Sequence, residues 1–360
     1  MIADLQNKKK IVIKIGSSLL VEEGKLRQKW LENFAKNIAE LVAKKIEIVI
    51  VSSGAIALGR AFLKVSNAKL TLEEKQAAAA IGQIQLMSFY RDFFKKLGIN
   101  VAQILLTAAD CNDHDRYLNS KNTIETLLKN NIIPIINEND TVAVDEIKIG
   151  DNDRLAARVA QMNSADLLIL FSDIDGLYDK NPKTDKTAKL IPEVLKITKE
   201  IENMAGGSSS AVGTGGMVTK IQAAKMILAC GCETIITSGL AENSLKKLFS
   251  GKQNYTIFRG EKNTTKSRKK WLSGFLNLKS GVIVNERAKT ALTSKKISLL
   301  PVGVVAVKGS FKKGDVIFIK DEEGGHIANG VSNYDVADVK EILGKANQAE
   351  VVHIDNLVVI

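Results

Sequence analysis

The chain is poor in the residues from which metal centres, disulfide scaffolds and thiol catalysis are built. Its 360 residues include only three cysteines and three histidines. Cys111 stands alone, while Cys230 and Cys232 flank Gly231 at the end of a predicted helix; their adjacency and the odd total argue against a disulfide framework. His114, His326 and His353 are scattered, and no Cys/His spacing resembles a zinc site. Neither a catalytic cysteine nor a serine triad is evident. No apolar run reaches the length of a membrane span, and residues 1–10 lack the apolar core of a secretory signal, so a cytoplasmic location without membrane association is expected. There is no internal repeat and no long low-complexity segment.

What remains is the composition of an ordinary globular protein, 45% apolar and 25% charged, in a chain long enough for two domains. The net charge of +11 raises the question of nucleic acid, and its distribution answers it. Residues 1–260 hold 35 Lys+Arg against 29 Asp+Glu, residues 261–270 hold 5 against 1, and residues 271–360 hold 11 against 10. The excess is spread over the larger part or gathered in Lys262, Lys266, Arg268, Lys269 and Lys270, where a solvated linker accounts for it.

Strand-like and helix-like segments alternate from Ile11 to about Phe258, the pattern of a mainly parallel α/β sheet with helices on both faces. Strands are predicted at Ile11 to Ile15, Ile46 to Val51, Val101 to Leu105, Ile132 to Ile136, Leu167 to Phe171 and Thr234 to Thr237. Thr71-Leu72-Glu73-Glu74 has the form of a capping box opening a helix toward Leu97, with Ala77 to Ala80 as a close-packed surface. Val142 to Ile149 alternates apolar and polar residues, which predicts a short antiparallel excursion. After the polar, basic stretch from Gly260 to Lys270 the text changes to short β-like runs: Val282 to Val284, Val302 to Val307, Val316 to Ile319, Ile327 to Val331 and Val351 to Ile354. These predict a small all-β barrel or sandwich of about 80 residues. The expected division is 1–260, a basic linker 261–275, and 276–360.

The most informative stretch runs from Gly213 to Lys220, Gly-Thr-Gly-Gly-Met-Val-Thr-Lys, at the mouth of a predicted helix. Glycines let backbone N–H groups face an anion, the helix start is positive, and Lys220 brings a cation, so the run reads as a phosphate cradle. Its spacing is neither that of a P-loop nor that of a dinucleotide fingerprint, and a plain glycine-rich loop is the competing reading. Lys14 interrupts an apolar strand that runs into Gly16-Ser17-Ser18. A lysine there needs a partner or a route to solvent, and a strand's carboxyl end beside such a turn is where open α/β sheets bind ligands. Val51-Ser52-Ser53-Gly54-Ala55, Asn137-Glu138-Asn139-Asp140, Gly150-Asp151-Asn152-Asp153 and Ser172-Asp173-Ile174-Asp175-Gly176 all fall at strand ends or helix starts. Capping explains any one of them; the recurrence at one edge points to a ligand site. Two lysines, abundant donors and no strong base fit phosphoryl transfer to a small carboxylic acid, already a nucleophile at neutral pH.

Lys14 to Ser18, Ser52 to Ile56, Asn137 to Asp140, Gly150 to Asp153 and Gly213 to Lys220 together closely resemble the glutamate 5-kinase family of the amino acid kinase superfamily, over essentially the whole chain. Leu300 to Val304 and Gly309 to Asp315 are similar to the PUA domain appended to many bacterial members. The resemblance implies an amino acid kinase domain over 1–260, a PUA domain over 276–360, and ATP- and Mg2+-dependent phosphorylation of the side-chain carboxylate of L-glutamate, the first step of proline synthesis. It implies catalytic roles for Lys14, Lys220 and Asp153, with Asp153 orienting the two lysines. Lys14, Ser172, Asp173, Thr214, Gly215, Gly216, Met217, Val218, Thr219 and Lys220 are expected to bind ATP, and Ser53, Asp140, Asp151 and Asn152 to hold glutamate. No dedicated protein cage for the metal is expected. L-proline is expected as feedback inhibitor, with a homo-oligomer of two or four chains and hand-off to glutamyl phosphate reductase. A kinase for aspartate or acetylglutamate, and an RNA-binding or RNA-modifying protein, are the alternatives; the near-neutral charge of the C-terminal part argues against RNA binding as the main role.

Overall fold

The computed structural model describes residues 5, 7–63, 70–142, 152–182, 184–205, 216–228, 230–259, 278–295 and 297–360. The chain divides into two compact units that part near residue 260.

The first unit is built on eight strands: β1 Lys10–Ile15, β2 Glu47–Ser52, β3 Asn100–Leu106, β4 Ile132–Glu138, β5 Leu167–Ser172, β6 Glu193–Val194, β7 Glu233–Ser238 and β8 Tyr255–Phe258. Their order in the sheet is β6-β8-β7-β5-β1-β2-β4-β3. The run from β7 to β3 is parallel throughout, and β8 lies antiparallel to β7. Central strands of this kind, covered on both faces, read as continuous apolar runs, which is why β1, β2, β4 and β5 were legible. All six predicted strands are present within two residues. Ala143 to Ile149 of the predicted antiparallel excursion lie outside the described residues, and Val142 is in a turn.

The helices of this unit include α1 Gln28–Ala43, α2 Ala55–Arg60, α3 Leu72–Lys95, α4 His114–Lys129, α5 Asn152–Met162 and α6 Met217–Leu228. The capping box at the start of α3 is closed in both directions, Thr71 Oγ1 accepting from Glu74 N–H and Glu74 Oε2 from Thr71 N–H at 2.8 Å. Strand alternation then divides the core. Ile11, Ile13 and Ile15 face the cluster that α1 and α3 cover; Val12 faces the other, which holds the apolar stripes of α5 and α6.

Helices α2 and α3 touch backbone to backbone. A Cβ on Gly82 would lie 1.8 Å from the Ala55 carbonyl oxygen, and one on Gly59 equally close to that of Ala78. Of the close-packed surface predicted at Ala77 to Ala80, Ala78 and Ala79 are buried while Ala77 and Ala80 are exposed, one helical face being all that packing can cover, and Gly59 and Gly82 make the tightest point.

The second unit contains β9 Gly281–Val284, β10 Val304–Lys308, β11 Val316–Asp321, β12 His326–Val331 and β13 Leu357–Val359, in the order β10-β9-β11-β12-β13. The unit is built on this one β-sheet, as expected, and short helices at Glu286–Thr290 and Val336–Ile342 accompany it. A single expectation needs correction. Val351 to Ile354 is no ladder strand: Val352 makes one isolated bridge to Leu299 while both valines bury their side chains, and the last strand begins at Leu357. Apolar alternation there reports core contact, which a bridge supplies as well as a ladder.

Candidate active site

Period-two alternation places the first functional side chain. Lys14 follows Val12 on the face toward α5, at the carboxyl end of β1, where its ammonium lies 2.6 Å from Asp153 Oδ1. Asp153 is the second residue of α5, so its carboxylate sits at the positive end of that helix. Its other oxygen, Oδ2, is 3.1 Å from Lys220 Nζ and 2.8 Å from the Thr219 hydroxyl, both in the first turn of α6. One carboxylate therefore joins the starts of two helices to the central strand.

The group is buried: Asp153 is 1% and Lys220 2% exposed. Burial alone would push the Asp153 carboxyl up, but the Lys14 and Lys220 ammoniums, with hydrogen bonds from Lys14 and Thr219, override it and hold the group well below the ordinary carboxylate range. Burial draws the Lys220 ammonium below its usual value; Asp153 opposes this and the Lys14 charge adds to it. Lys14 and Lys220 share the one buried carboxylate of Asp153, two ammoniums that suit an anion. Asp173, just beyond β5, acts on Lys220 in the same sense as Asp153. The Ser172 hydroxyl donates to Asp173 Oδ1 at 3.0 Å.

A second cluster forms at the ends of β2 and β4. Gly54, at φ 104° in the left-handed region that only glycine takes up freely, turns the chain from Ser53 into α2. Asn152 Nδ2 donates to Ser53 Oγ at 2.8 Å, to Asn137 Oδ1 at 3.3 Å and to the Ser52 carbonyl at 3.3 Å. Asn137 Nδ2 donates in turn to Gln83 Oε1 at 2.8 Å. Asp140 follows β4 in a turn, and burial pushes its carboxyl up to about 6.

The structure thus brings Lys14, Asp153, Thr219 and Lys220 into one cluster, Ser53 and Asn152 into another, and Ser172 and Asp173 into a third. Gly216 heads α6, Met217 packs against the core, and Val218 is exposed. Asp151, Thr214 and Gly215 lie outside the described residues. Sequence reasoning passed over Gln83 and Tyr90, both on the buried stripe of α3. A polar residue within such a stripe, three positions before Leu86, is the signal that would have found Gln83.

Residues 9–238 match the model of the amino acid kinase family, and residues 281–354 that of the PUA domain. The chain is 45% identical to the glutamate 5-kinase of Pelagibacter ubique, across 98% of this chain and 99% of that relative. It is 47% identical to the glutamate 5-kinase of Allorhizobium ampelinum, across 99% of this chain and 94% of that one. Among solved structures, carbamate kinase from Giardia lamblia bound to AMP-PNP is similar with a TM-score of 0.50, at 19% identity over 71% of this chain and all of that one. That likeness is one of fold.

Proposed function

The chain belongs to the glutamate 5-kinase family of amino acid kinases, and from that premise we propose that it transfers the γ-phosphoryl group of ATP to the side-chain carboxylate of L-glutamate, giving L-glutamyl 5-phosphate for proline synthesis. The observation that carries the reading is the buried Lys14–Asp153–Lys220 group at the carboxyl edge of the parallel strands.

Transfer forms one O–P bond to the acceptor carboxylate and breaks the bridging P–O bond to ADP. No proton is removed, so the site needs no general base. Its work is to gather negative charge and hold it in line. Lys14 and Lys220 face the phosphoryl group with their ammoniums fixed by Asp153, which also screens their mutual repulsion. Residues 214–220 and the Ser172-Asp173 pair hold the nucleotide. Ser53, Asp140, Asp151 and Asn152 hold glutamate, Asp140 as an anion for its ammonium. When bound with the nucleotide, Mg2+ would be held mainly by phosphate oxygens and water and would neutralise triphosphate charge, while Lys14 and Lys220 would face the same anion.

We assign residues 1–260 as the kinase domain, 261–275 as linker and 276–360 as the PUA domain, in an oligomeric cytoplasmic enzyme inhibited by L-proline that passes its product to glutamyl phosphate reductase. No helix among the described residues is long and apolar enough to cross a membrane. RNA binding by the PUA domain is not the main role in this reading. The test is hydroxylamine trapping: purified protein with ATP, Mg2+ and glutamate should yield glutamyl hydroxamate, with aspartate and acetylglutamate as rivals. No hydroxamate above background with glutamate refutes the reading.

A further inference from the structure

We propose that Gln83 is a positioning residue that sets, through Asn137 and Asn152, the direction in which the Ser53 hydroxyl donates. The inference rests on the reading above, in which Ser53 meets the substrate acid.

An amide has an oxygen that only accepts and a nitrogen that only donates, so in a series of amides the orientation of one constrains the next. Gln83 Oε1 takes the Asn137 Nδ2 hydrogen at 2.8 Å, while Asn137 Oδ1 takes the Glu138 backbone N–H at 2.9 Å. Asn137 therefore offers its oxygen to Asn152, which answers with Nδ2 at 3.3 Å. The same nitrogen donates to Ser53 Oγ at 2.8 Å. Ser53 thus accepts within the series, and its own hydrogen is directed away from it, toward any carboxylate placed at the strand ends. A reversed Asn137 would set two nitrogens face to face and release Asn152 to turn.

Two observations separate Gln83 from a packing residue. Its Nε2 is buried without a partner among the described residues, a defect that an apolar side chain of similar volume would remove. Its height above the strand ends is fixed by the contact of Gly82 with Ala55. The same helix brings Tyr90 Oη to 3.0 Å from Ser52 Oγ, and the Ser52 carbonyl is a further acceptor for Asn152 Nδ2. Helix α3 thus supports the acid-binding residues from behind without reaching the substrate.

Hydroxamate kinetics on the full-length parent, Gln83→Met, Ser53→Ala and the double variant test this. Gln83→Met should raise the KM for glutamate about tenfold and leave the KM for ATP unchanged. Its melting temperature should stay within about 3 °C of the parent, because one unpaired buried donor, Gln83 Nε2, is exchanged for another, Asn137 Nδ2. In the Ser53→Ala background the substitution should add less than about twofold, the hydroxyl it directs being gone. Gln83→Glu, which keeps an oxygen for Asn137, should remain within about threefold of the parent KM. Losses that multiply in the double variant, equal losses for both substrates, an unchanged KM in Gln83→Met, or a tenfold rise in Gln83→Glu each overturn the proposal. A parent that turns over no glutamate removes both this inference and the reading beneath it; an active parent with uncoupled variants removes the inference alone.

Discussion

Replacing Asp153 by asparagine preserves the shape of the side chain and removes the carboxylate that bonds both Lys14 and Lys220. At an effective dielectric near 20, unit charges ~3 Å apart attract by about 5 kcal/mol before desolvation is counted. Removing one partner of a buried pair costs roughly 3–5 kcal/mol, because the remaining charge stays buried without compensation. Here two ammoniums lose their partner, and burial already disfavours the charged form of Lys220. An expected loss of about 3–5 kcal/mol is a large part of a domain's usual 5–15 and should lower the melting temperature by roughly 10 °C. Since the pairs are buried, the loss should persist in about 0.5 M salt. Turnover should fall by at least about a hundredfold, as the cations are no longer held in place. The pH dependence has a definite sign. The native carboxyl is held below its unfolded value, so its stabilisation is complete above the ordinary carboxylate range and fades as pH falls below about 4 through the depressed native value. Parent and variant melting curves, followed by fluorimetry from pH 8 down, should stay apart until that range and then converge. Equal melting temperatures at pH 7, or a difference abolished by salt, would refute the buried-pair account.

Lys14→Ala and Lys220→Ala should each lower kcat far more than they raise either KM, because negative charge at the transferring group changes most on the way to the transition state; a folded variant with parental kcat removes that lysine from the mechanism. With Asp140 in its proposed role as anion for the substrate ammonium, the KM for glutamate should fall as pH rises through about 6, to which burial raises its carboxyl; in Asp140→Asn this step should vanish and proline inhibition should weaken with it, while an intact step assigns the titration to another group. A chain ending after residue 262 should fold and retain phosphoryl transfer, since every assigned site residue precedes that point; circular dichroism with the hydroxamate assay checks it, and a folded but inactive fragment would show that the C-terminal unit completes the site.

The legible parts of this molecule are those where one residue type has a single physical explanation. An apolar run broken only by Lys14 forces the question of what meets its ammonium, and the answer lies on the same face of the sheet, in α5 and α6. The parallel strands announced themselves because burial on both faces leaves no polar alternation to confuse them with helices. Less was visible where two explanations coincide. Asp153 at a helix start reads equally well as a cap, and only its 2.6 Å contact with Lys14 separates the roles. Gln83 lies in a long helix that carries a run of four alanines and three glutamines, none set apart by its type; its partner Asn137 is 54 residues away in sequence. The two-residue strand β6 follows Pro192 and carries no periodicity at all, being defined only by its pairing with β8.

The position of β1 also bears on how the chain is made. It is the first strand of the sheet to leave the ribosome and takes a central place, with β2 on one side and β5 on the other. Pairing with β2 is possible once residue 52 has emerged, but the opposite edge stays open until residues 167–172 are synthesised. Open apolar edges invite pairing with other chains, and a charge within such a strand is a recognised deterrent. Lys14 stands in that strand long before Asp153 or Lys220 exists to receive it. A charge at this position of a strand with an open edge deters such pairing, so replacing Lys14 with an apolar residue should lower the yield of soluble protein during synthesis, besides the loss of turnover expected from its proposed role.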